Sequence, residues 1–371
     1  MIKHLPCRRF VILLFQIALF FNAEGNPYIS GDTSIPGNKL LKYIDPTIGN
    51  VALLLEPTRP TAYLPNQVIR VYPIRKDYLD DEISGFPLTA VSHRLGTVFC
   101  IKPSIYPIVP DCWDHKMPYD QDLEITRPWY YSTYLLDEDI TVEFSPSKKT
   151  GIYRFSFPQG KQKSVLINTC NEGESSLQIK SGNEISGMET WHGDVKIYMY
   201  GVFNTYGKGG PVENNELKLE QTISGKSARA YIELSPGCDT VEFRYAISFI
   251  SEKQAEINYK KEISKKSFSE VENDAEEIWS ELLSQIQVEG GTESQKRSFY
   301  TALYRCHERM VDITEDSFYY SGYNNKINKA DRPFYVDDWS WDTYLALHPL
   351  RMILHPSLEE DMLQSYVRMY E

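Results

Sequence analysis

Residues 241–262 read VEFRYAISFISEKQAEINYKKE and contain the sharpest change of pattern in the chain. Up to Ile250, apolar and polar residues alternate with the period of a half-buried β-strand. From Glu252 to position 286 the sequence has neither glycine nor proline and is rich in Glu, Lys, Ala and Ile, which favours helix. The stretch therefore predicts a boundary near Ser251, with β-structure before it and helices after it.

Before this boundary, short alternating runs are separated by turn-forming residues. Residues 158–160 (PQG) and 235–237 (SPG) are examples of such separators. Many strands without a helical period between them predict an antiparallel β-sandwich domain over residues 24–251. The predicted strands are 68–72, 97–101, 130–136, 140–144, 151–157, 164–168, 195–203, 228–234 and 241–250.

After the boundary we predict a linker helix over residues 252–291, with a break near Ser267, and then the start of a helical domain over residues 292–371. Within that domain, apolar spacing predicts helices over 292–311, 341–354 and 358–370. Their apolar faces have no partners to close a domain, and the last helix reaches Glu371 without a cap. We therefore expect the chain to be cut inside a larger helical domain.

The first 23 residues have the parts of a secretory signal peptide. Lys3, Arg8 and Arg9 form a basic region, residues 10–21 form an apolar region, and small residues follow near position 23. This apolar region is too short to span a bilayer comfortably. We expect residues 1–23 to be removed and the mature chain to be secreted or periplasmic, without a transmembrane segment. A retained N-terminal anchor is the alternative.

The chain is acidic, with 39 Lys and Arg residues against 51 Asp and Glu residues and a formal net charge of −12. The predicted signal peptide holds three basic residues and no acidic one, so its removal makes the charge −15. No cluster of basic residues forms the stripe that nucleic-acid-binding domains carry. We therefore expect no nucleic-acid partner.

Residues 334–350 read FYVDDWSWDTYLALHPL and hold the strongest candidate for a binding site. Ser340 is the predicted N-cap of a helix that carries Trp341 and Asp342 in its first turn. An indole ring suits the apolar face of a sugar, and a carboxylate accepts hydrogen bonds from sugar hydroxyls. Trp341 and Asp342 are therefore predicted to contact a sugar.

The same residues also have a purely structural interpretation. Tyr344, Leu345 and His348 follow Trp341 at the i+3, i+4 and i+7 positions of one helical face. In this interpretation Trp341 begins a core stripe, and Asp342 only complements the helix dipole. Composition alone favours this interpretation over sugar contact.

Two stretches of the helical half resemble glycoside hydrolase family 92. Residues 334–350 are similar to the family pattern FY…WDTYRALHPL, and residues 288–304 are similar to VEGGT…FYTALYH. The family consists of secreted, calcium-dependent exo-α-mannosidases with a β-sandwich followed by an (α/α)6 barrel. The resemblance therefore implies that residues 292–371 are the first helices of an incomplete (α/α)6 barrel, because the family's helical domain is more than twice as long.

The β half resembles the same family more weakly. Residues 43–49 (YIDPTIG) and 150–158 (TGIYRFSFP) are similar to its VDPFIGT and RxGxYRYTFP patterns. Where the family has SHTHLSG, however, residues 87–91 read PLTAV, and His93 and Arg94 just beyond are the candidates to replace it. The altered loop implies a divergent member with a different linkage or substituent preference.

The resemblance implies an exo-acting, inverting α-mannosidase that removes terminal mannose from mannose-containing glycans. Inverting hydrolysis needs a carboxylic acid at the leaving oxygen and a carboxylate that activates water. In the family both groups, and the main calcium ligands, lie beyond the WDT helix. We therefore expect them after Glu371 and expect this chain alone to be inactive. No catalytic role is assigned to the acids Asp337, Asp338 and Glu308, and Glu308 is expected to be solvated or ion-paired on helix 292–311.

Two other classes of function remain open from the residues alone. An aromatic-rich sandwich in an exported protein also fits a carbohydrate-binding module without hydrolytic activity, whose helices only connect it to other parts. A purely structural exported protein is the third possibility, with the aromatic residues as core. Glycan binding without hydrolysis would favour the module, and no sugar-dependent change in melting would favour the structural protein.

Overall fold

The computed structural model describes residues 38–51, 58–91, 96–213, 216–219 and 222–371. These residues belong to one structural unit, Pro36–Glu371. The predicted signal peptide, residues 1–23, lies outside the described part, so its prediction is not tested here.

Strands occupy most of the chain before residue 250. They are β1 (Ala62–Tyr63), β2 (Arg70–Val71), β3 (Glu82–Ile83), β4 (Phe86–Ala90), β5 (Thr97–Ser104), β6 (Met117–Pro118), β7 (Ile125–Arg127), β8 (Tyr130–Leu135), β9 (Ile140–Pro146), β10 (Thr150–Ser156), β11 (Ser164–Asn168), β12 (Glu174–Lys180), β13 (Glu184–His192), β14 (Val195–Phe203), β15 (Gly207–Glu213), β16 (Glu216–Leu217), β17 (Thr222–Lys226), β18 (Arg229–Leu234) and β19 (Thr240–Ser248).

Two antiparallel sheets of these strands pack face to face. Among the described residues, one sheet has the order β17-β12-β13-β14-β19-β10-β9-β8-β7 and the other the order β16-β15-β18-β11-β5-β4. A single apolar core contains side chains of both sheets, such as Tyr153 and Phe243 from the first and Ile101 and Val165 from the second. The prediction of an antiparallel β-sandwich is confirmed.

Strand β4 lies at the edge of the smaller sheet, yet all of its residues are buried. Two tyrosines of the larger sheet reach across the core to it. The Tyr153 hydroxyl donates to the carbonyl oxygen of Pro87 at 2.6 Å, and the Tyr245 hydroxyl donates to that of Leu88 at 2.5 Å. Burial raises the pKa of both hydroxyls well above the ordinary value, so both remain donors. Hydrogen bonds therefore join the two sheets in addition to apolar packing.

Strand β15 is one of several strands that the alternation pattern does not predict. Its sequence, GKGGPVE, has the composition of a loop. It nevertheless pairs with β18 over Gly207–Pro211, and a Cβ atom at Gly209 would lie 2.0 Å from the carbonyl oxygen of Tyr231. The glycines that hide the strand in the sequence are therefore what allows its backbone to approach β18.

The helices, α1 apart, follow the sandwich. They are α1 (Asn38–Leu41), α2 (Glu252–Glu262), α3 (Phe268–Ser284), α4 (Glu293–Arg305), α5 (Ser340–Thr343), α6 (Leu347–Leu354) and α7 (Pro356–Tyr370). The predicted order of β-structure followed by helices is confirmed.

The range predicted as a linker helix, 252–291, contains the two helices α2 and α3. The break near Ser267 has a local cause, because Ser267 forms a capping box with Glu270. The Ser267 side chain accepts from the Glu270 amide, and the Glu270 carboxylate accepts from the Ser267 amide at 2.8 Å. The cap begins α3 in a new direction rather than continuing α2.

The predicted helix over 292–311 is too long, because α4 ends at Arg305. Short strands follow it that the helical interpretation does not predict: β20 (Val311–Asp312), β21 (Phe318–Ser321), β22 (Lys326–Lys329) and β23 (Tyr335–Val336). Residues 322–325 (GYNN) turn the β21–β22 hairpin, with Asn325 at a positive φ of 54°. Glu308 consequently lies in a turn beyond α4 and not on a helix.

The predicted helix over 341–354 is also wrong, since the chain forms two helices, α5 and α6. Pro349 lies in the first turn of α6, where its missing amide hydrogen costs nothing. In a continuous helix the ring of Pro349 would clash with the carbonyl of Leu345. The helix therefore ends before Tyr344 and begins again at Leu347. The stripe predicted from Trp341 does not form a core, because Trp341, Tyr344 and Leu345 are 71%, 58% and 73% exposed.

Helices α2 and α3 cover the outer side of the larger sheet. Ile152 and Tyr200 of the sheet pack with Tyr259 of α2 and Phe268 of α3. Farther along α3, Trp279 is fully buried between Tyr63 and Tyr304, and its indole N–H donates to the carbonyl oxygen of Tyr63 at 2.8 Å. The helices are therefore part of the same packed unit as the sandwich.

Within the described residues, no helix is both long enough and apolar enough to cross a lipid bilayer.

Replacing Trp279 by alanine should lower the free energy of unfolding by about 3–5 kcal/mol, the usual cost of removing a fully buried large aromatic side chain. Chemical denaturation followed by circular dichroism measures the loss. The matched control is Ile278→Ala on the same helix, where the side chain is 36% exposed and the loss should be under about 1 kcal/mol. Equal losses for the two variants would contradict the packing described here.

Candidate active site

The turn that carries Trp341 and Asp342 is organised differently from its prediction. Helix α5 has Trp339 as its N-cap, without a capping side-chain hydrogen bond, and Ser340 is its first helical residue. Ser340 as N-cap is therefore wrong. The Asp342 amide donates to the carbonyl oxygen of Trp339 at 2.8 Å, and the Thr343 hydroxyl lies 3.3 Å from the same oxygen, so these bonds close the turn.

Trp341 and Asp342 both point away from the protein core. Trp341 is 71% exposed, and the carboxylate of Asp342 is exposed with no side-chain partner in the part of the chain that the structure describes. An accessible indole beside an unengaged carboxylate is the arrangement that sugar contact requires, and it is not the arrangement of a core stripe. The prediction that they bind substrate stays a prediction.

Asp338, one turn earlier, has a buried side chain whose Oδ2 is hydrogen-bonded. Its Oδ2 accepts from the Thr343 hydroxyl at 3.0 Å, lies 3.3 Å from Nε2 of His348, and accepts from the Tyr366 hydroxyl. Burial acts to raise the pKa of Asp338, but the hydrogen bonds from Tyr366, Thr343 and His348 outweigh it and lower the pKa overall. Asp338 is therefore an ionised anchor for α5 rather than a free acid.

His348 links Asp338 to a second buried carboxylate. Its Nδ1 lies 2.6 Å from Oε1 of Glu359, which is 1% exposed. Arg351 is equally buried and donates through Nη2 to the carbonyl oxygens of Cys306, at 3.0 Å, and Arg309. We call Asp338, His348, Arg351, Glu359 and Tyr366 the buried cluster; it joins α5, α6 and α7.

The buried cluster is not saturated with hydrogen bonds. Oδ1 of Asp338, Oε2 of Glu359, and Nε and Nη1 of Arg351 have no hydrogen-bond partner among the described residues. Burial lowers the pKa of Arg351, and the nearby carboxylates of Glu359 and Asp338 act against that shift. Opposite charges therefore stabilise one another at a site where each alone would be costly to bury.

Asp337 attaches this segment to the sandwich. Its carboxylate accepts from Nη1 of Arg70 at 2.8 Å, while Nε of Arg70 donates to the carbonyl oxygen of Ala90 at 3.1 Å. Arg70 is 2% exposed and the side chain of Asp337 is 11% exposed. Asp337 also has a positive φ of 69°, in the left-handed region that Asp tolerates better than most residues. Asp337 is thus structural, and its ion pair fixes the turn against the end of β4.

An aromatic slot of about 180 Å³ lies beside this ion pair. Trp191 of β13, Phe249 after β19 and Tyr320 and Tyr323 of the β21–β22 hairpin line it, together with Arg70. A cavity of about 150 Å³ holds benzene, so the slot has room for one six-membered ring with substituents. The slot lies on the same side of the sandwich as Asp337.

His93 and Arg94, predicted to bind substrate, lie outside the described residues, in the segment 92–95. Of the residues that flank this segment, Val91 lines the aromatic slot, and a Cβ atom at Gly96 would lie 2.1 Å from Nε1 of Trp191. Val91 and Gly96 therefore both lie close to residues of the slot. The role of His93 and Arg94 stays a prediction.

Among the described residues, no group of three or more His, Cys, Asp or Glu side chains is arranged to hold a metal ion. Asp337 pairs with Arg70, and Asp338 accepts hydrogen bonds within the buried cluster. The calcium implied by resemblance stays a prediction.

Several residues of this region were not predicted from the sequence. Glu359, Arg351 and Tyr366 join Asp338 and His348 only through the packing of α6 and α7, so no local spacing indicates them. Arg70 has no local signal in its own segment either.

Two protein-family models match the sequence of this chain. The N-terminal domain of glycosyl hydrolase family 92 matches residues 43–248, and the catalytic domain of the same family matches residues 254–371. The chain belongs to glycosyl hydrolase family 92. The resemblance predicted from the WDT and VEGGT stretches is confirmed.

Solved structures of family 92 share its fold. The inverting mannosidase BT2199 of Bacteroides thetaiotaomicron is 24% identical and superposes with a TM-score of 0.80 over 91% of this chain and 48% of its own. The α-mannosidase BT3965 of the same organism is 22% identical, with a TM-score of 0.81 over 90% of this chain and 50% of its own. The arrangement of a β-sandwich followed by the first helices of a barrel is therefore the one found in family 92 structures.

A relative from Arthroderma benhamiae, described as an uncharacterized secreted glycosidase, is 26% identical over 283 residues. The match covers 63% of this chain and 36% of the relative. The family 92 chain described here thus spans about half the length of these solved structures and about a third of this relative.

The stability of the family 92 chain should depend on pH through His307, which lies against the ring of His355 near Arg351. Burial, with repulsion from His355 and Arg351, lowers the pKa of His307 from 6.5 to about 3. As the pH falls, the unfolded chain therefore binds a proton at His307 before the folded chain does. The contribution of His307 to the free energy of unfolding is complete above pH 6.5 and is lost as the pH falls towards 3. Between these values the difference in unfolding free energy between wild type and His307→Phe should change by about 1.4 kcal/mol per pH unit.

Urea denaturation at several pH values between 4.5 and 6.5 measures this difference. The exposed His192, replaced by asparagine, serves as the control and should leave the pH dependence of the wild type unchanged. If the curves of wild type and His307→Phe are parallel, His307 is not buried in its neutral form.

Proposed function

We propose that the full-length protein is an exo-acting, inverting α-mannosidase and that this chain supplies the sandwich side and the first helices of its active site. The observation that carries the proposal is the exposed pair Trp341 and Asp342, presented by a turn whose base is fixed by the buried cluster. Family membership and the described activities of BT2199 and BT3965 support it.

In this proposal, Trp341 stacks on the apolar face of the terminal mannose and Asp342 accepts hydrogen bonds from its hydroxyls. A hydrogen bond to a charged acceptor contributes more than a neutral one, especially where sugar and indole exclude water. Asp338 takes no part in the chemistry and acts as a positioning residue for this turn. The aromatic slot beside Arg70 and Asp337 extends the site towards the sandwich.

The acid and base of inverting hydrolysis are not assigned to residues of this chain. Asp337 is in an ion pair with Arg70, Asp338 has three donors on one oxygen, and Glu308 lies in a turn beside Tyr63 and Tyr304. Each therefore has surroundings unlike those of a carboxyl that exchanges a proton with substrate. We propose that the catalytic pair, and the calcium ligands expected for the family, belong to the remainder of the full-length protein.

We also propose that the protein is exported, either secreted or periplasmic, with residues 1–23 as its signal peptide. The glycan substrate implied by the proposed activity is found outside the cytoplasm, and the relative described as a secreted glycosidase supports this location.

Hydrolysis itself is tested on the full-length protein with an aryl α-mannoside and a panel of mannans and N-glycans. Proton NMR of the first product reports its anomeric configuration. Inverting hydrolysis of an α-mannoside releases β-mannose first. Release of α-mannose, or hydrolysis of other glycosides alone, would overturn the proposal.

Asp342→Asn in the full-length protein should lower kcat/KM by about 10–100-fold while leaving the melting temperature unchanged. The loss corresponds to one charge-assisted hydrogen bond of about 1.5–3 kcal/mol, and the exposed carboxylate has no side-chain hydrogen bond within the described ranges of the chain to lose. Asp122→Asn, another exposed aspartate placed on the sandwich, is the control and should retain full activity. An unchanged kcat/KM for Asp342→Asn would mean that Asp342 only complements the dipole of α5.

A further inference from the structure

A second cavity lies at the end of the sandwich opposite to the aromatic slot. It has a volume of about 500 Å³ and lies between residues 102–115 and the β8–β9 turn at Glu138. We call it the far cavity. In the larger sheet, Thr141 pairs with Ser156 and Ser156 pairs with Thr240, so the β8–β9 turn lies at the Thr240 end of β19.

The aromatic slot lies at the other end of the same strand. Phe249, which lines the slot, follows Ser248 at the end of β19. A strand rises about 3.3 Å per residue, so the nine residues of β19 separate the two ends by roughly 25 Å. A ligand in the far cavity therefore does not reach Trp341 or Asp342.

The floor of the far cavity holds two buried charged residues. Lys102 is 4% exposed, and its ammonium donates to the carbonyl oxygens of Trp113, at 2.8 Å, and His115. Glu138 is 1% exposed, with Oε1 at 2.8 Å from Nε2 of His115. Oε2 of Glu138 has no hydrogen-bond partner among the described residues. Glu138 therefore keeps one buried oxygen without a partner beside His115, and the Lys102 ammonium, which carries three hydrogens, has one left after its two carbonyl partners.

These charges are costly where they are. Burial lowers the pKa of Lys102, although nearby acidic groups including Glu138 act against the shift. Lys102 has a structural role, because its ammonium fixes residues 113–115 through two carbonyl oxygens. Oε2 of Glu138 has no such role among the described residues, and a buried acceptor without a donor is costly unless a ligand supplies one.

The rim of the far cavity is apolar and aromatic. Tyr106 is 38% exposed, and its ring meets that of His115 edge-on at 5.7 Å between centroids. Pro107 and Val109 are further exposed apolar residues of the lining, and Asp111 adds one exposed carboxylate. Ligand sites of about 300–1,000 Å³ with mostly apolar walls and a few converging polar groups are the usual form of small-molecule sites.

The charges of the floor select the kind of ligand. A charged ligand would meet a like charge, because an ammonium and a carboxylate both flank His115. A neutral hydroxyl group complements both side chains, because it can accept a hydrogen bond from the Lys102 ammonium and donate one to the Glu138 carboxylate. An apolar face that lies on Tyr106 and Pro107, combined with such hydroxyls, describes a sugar ring.

We propose that the far cavity binds a neutral saccharide unit and is a second glycan-binding site, separate from the proposed hydrolytic site. The site would hold the protein on a polymeric glycan while chain ends are processed elsewhere on the molecule. Binding here requires no hydrolysis, so it stands even if the proposed mannosidase activity fails.

The test is affinity electrophoresis of the 371-residue chain in native gels that contain soluble α-mannan, β-glucan or xylan. Retardation in at least one of these gels is expected. Tyr106→Ala should weaken the binding by at least 10-fold, because it removes the stacking ring from the rim. Tyr106→Phe keeps the ring and should bind within about threefold of wild type. Glu138→Gln, which keeps the shape of the side chain, should weaken binding by about 3–10-fold.

Two controls separate this site from the others. Tyr206→Ala removes a tyrosine elsewhere on the sandwich that is 66% exposed, against 38% for Tyr106, and should bind within twofold of wild type. Trp341→Ala disables the proposed hydrolytic site and should keep the retardation that Tyr106→Ala loses. Melting temperatures confirm that each variant is folded. No retardation of the wild type in any gel, or retardation lost in Trp341→Ala but kept in Tyr106→Ala, would overturn the proposal.

Discussion

The geometry of the last three helices depends on one buried arrangement, the imidazole ring of His348 held between the carboxylates of Asp338 and Glu359. Each carboxylate belongs to a different segment, so the ring ties the start of α5 to the first turn of α7. Removing one member would leave a buried charge without compensation, which usually costs several kcal/mol. Because the base of the turn is held this tightly, Trp341 and Asp342 can stay exposed without losing their position.

The sandwich places two kinds of surface at its two ends. The Ser248 end meets the helices, and Arg70 there fixes Asp337 beside the aromatic slot. The opposite end carries the far cavity, whose buried Lys102 and Glu138 are held by residues 113–115. The strands between them keep the two ends at a constant separation, since a two-sheet core does not deform along its strands as a flexible linker would.

Most of the architecture could be predicted from the sequence, because alternation indicates strands buried on one face and the loss of glycine and proline after Ser251 favours helix. Strand β15 could not, since its glycines serve a close backbone approach to β18 that only the fold reveals. The break before α6 was not predicted, because the apolar spacing of residues 341–354 fits one continuous helix. Pro349 was a signal against that helix. For the candidate site, motif resemblance identified Trp341 and Asp342, whereas Arg70, Arg351 and Glu359 meet the turn through tertiary packing and have no local signal.

The protection of β4 has a consequence for how copies of the protein meet. An edge strand normally presents free carbonyl and amide groups on which another chain can add a strand. Here the carbonyl oxygens of Pro87, Leu88 and Ala90 accept from Tyr153, Tyr245 and Arg70, and Pro87 has no amide hydrogen to offer. The smaller sheet is thereby closed to edge-to-edge growth on this side, which lowers the risk of aggregation for a protein with so much β-structure.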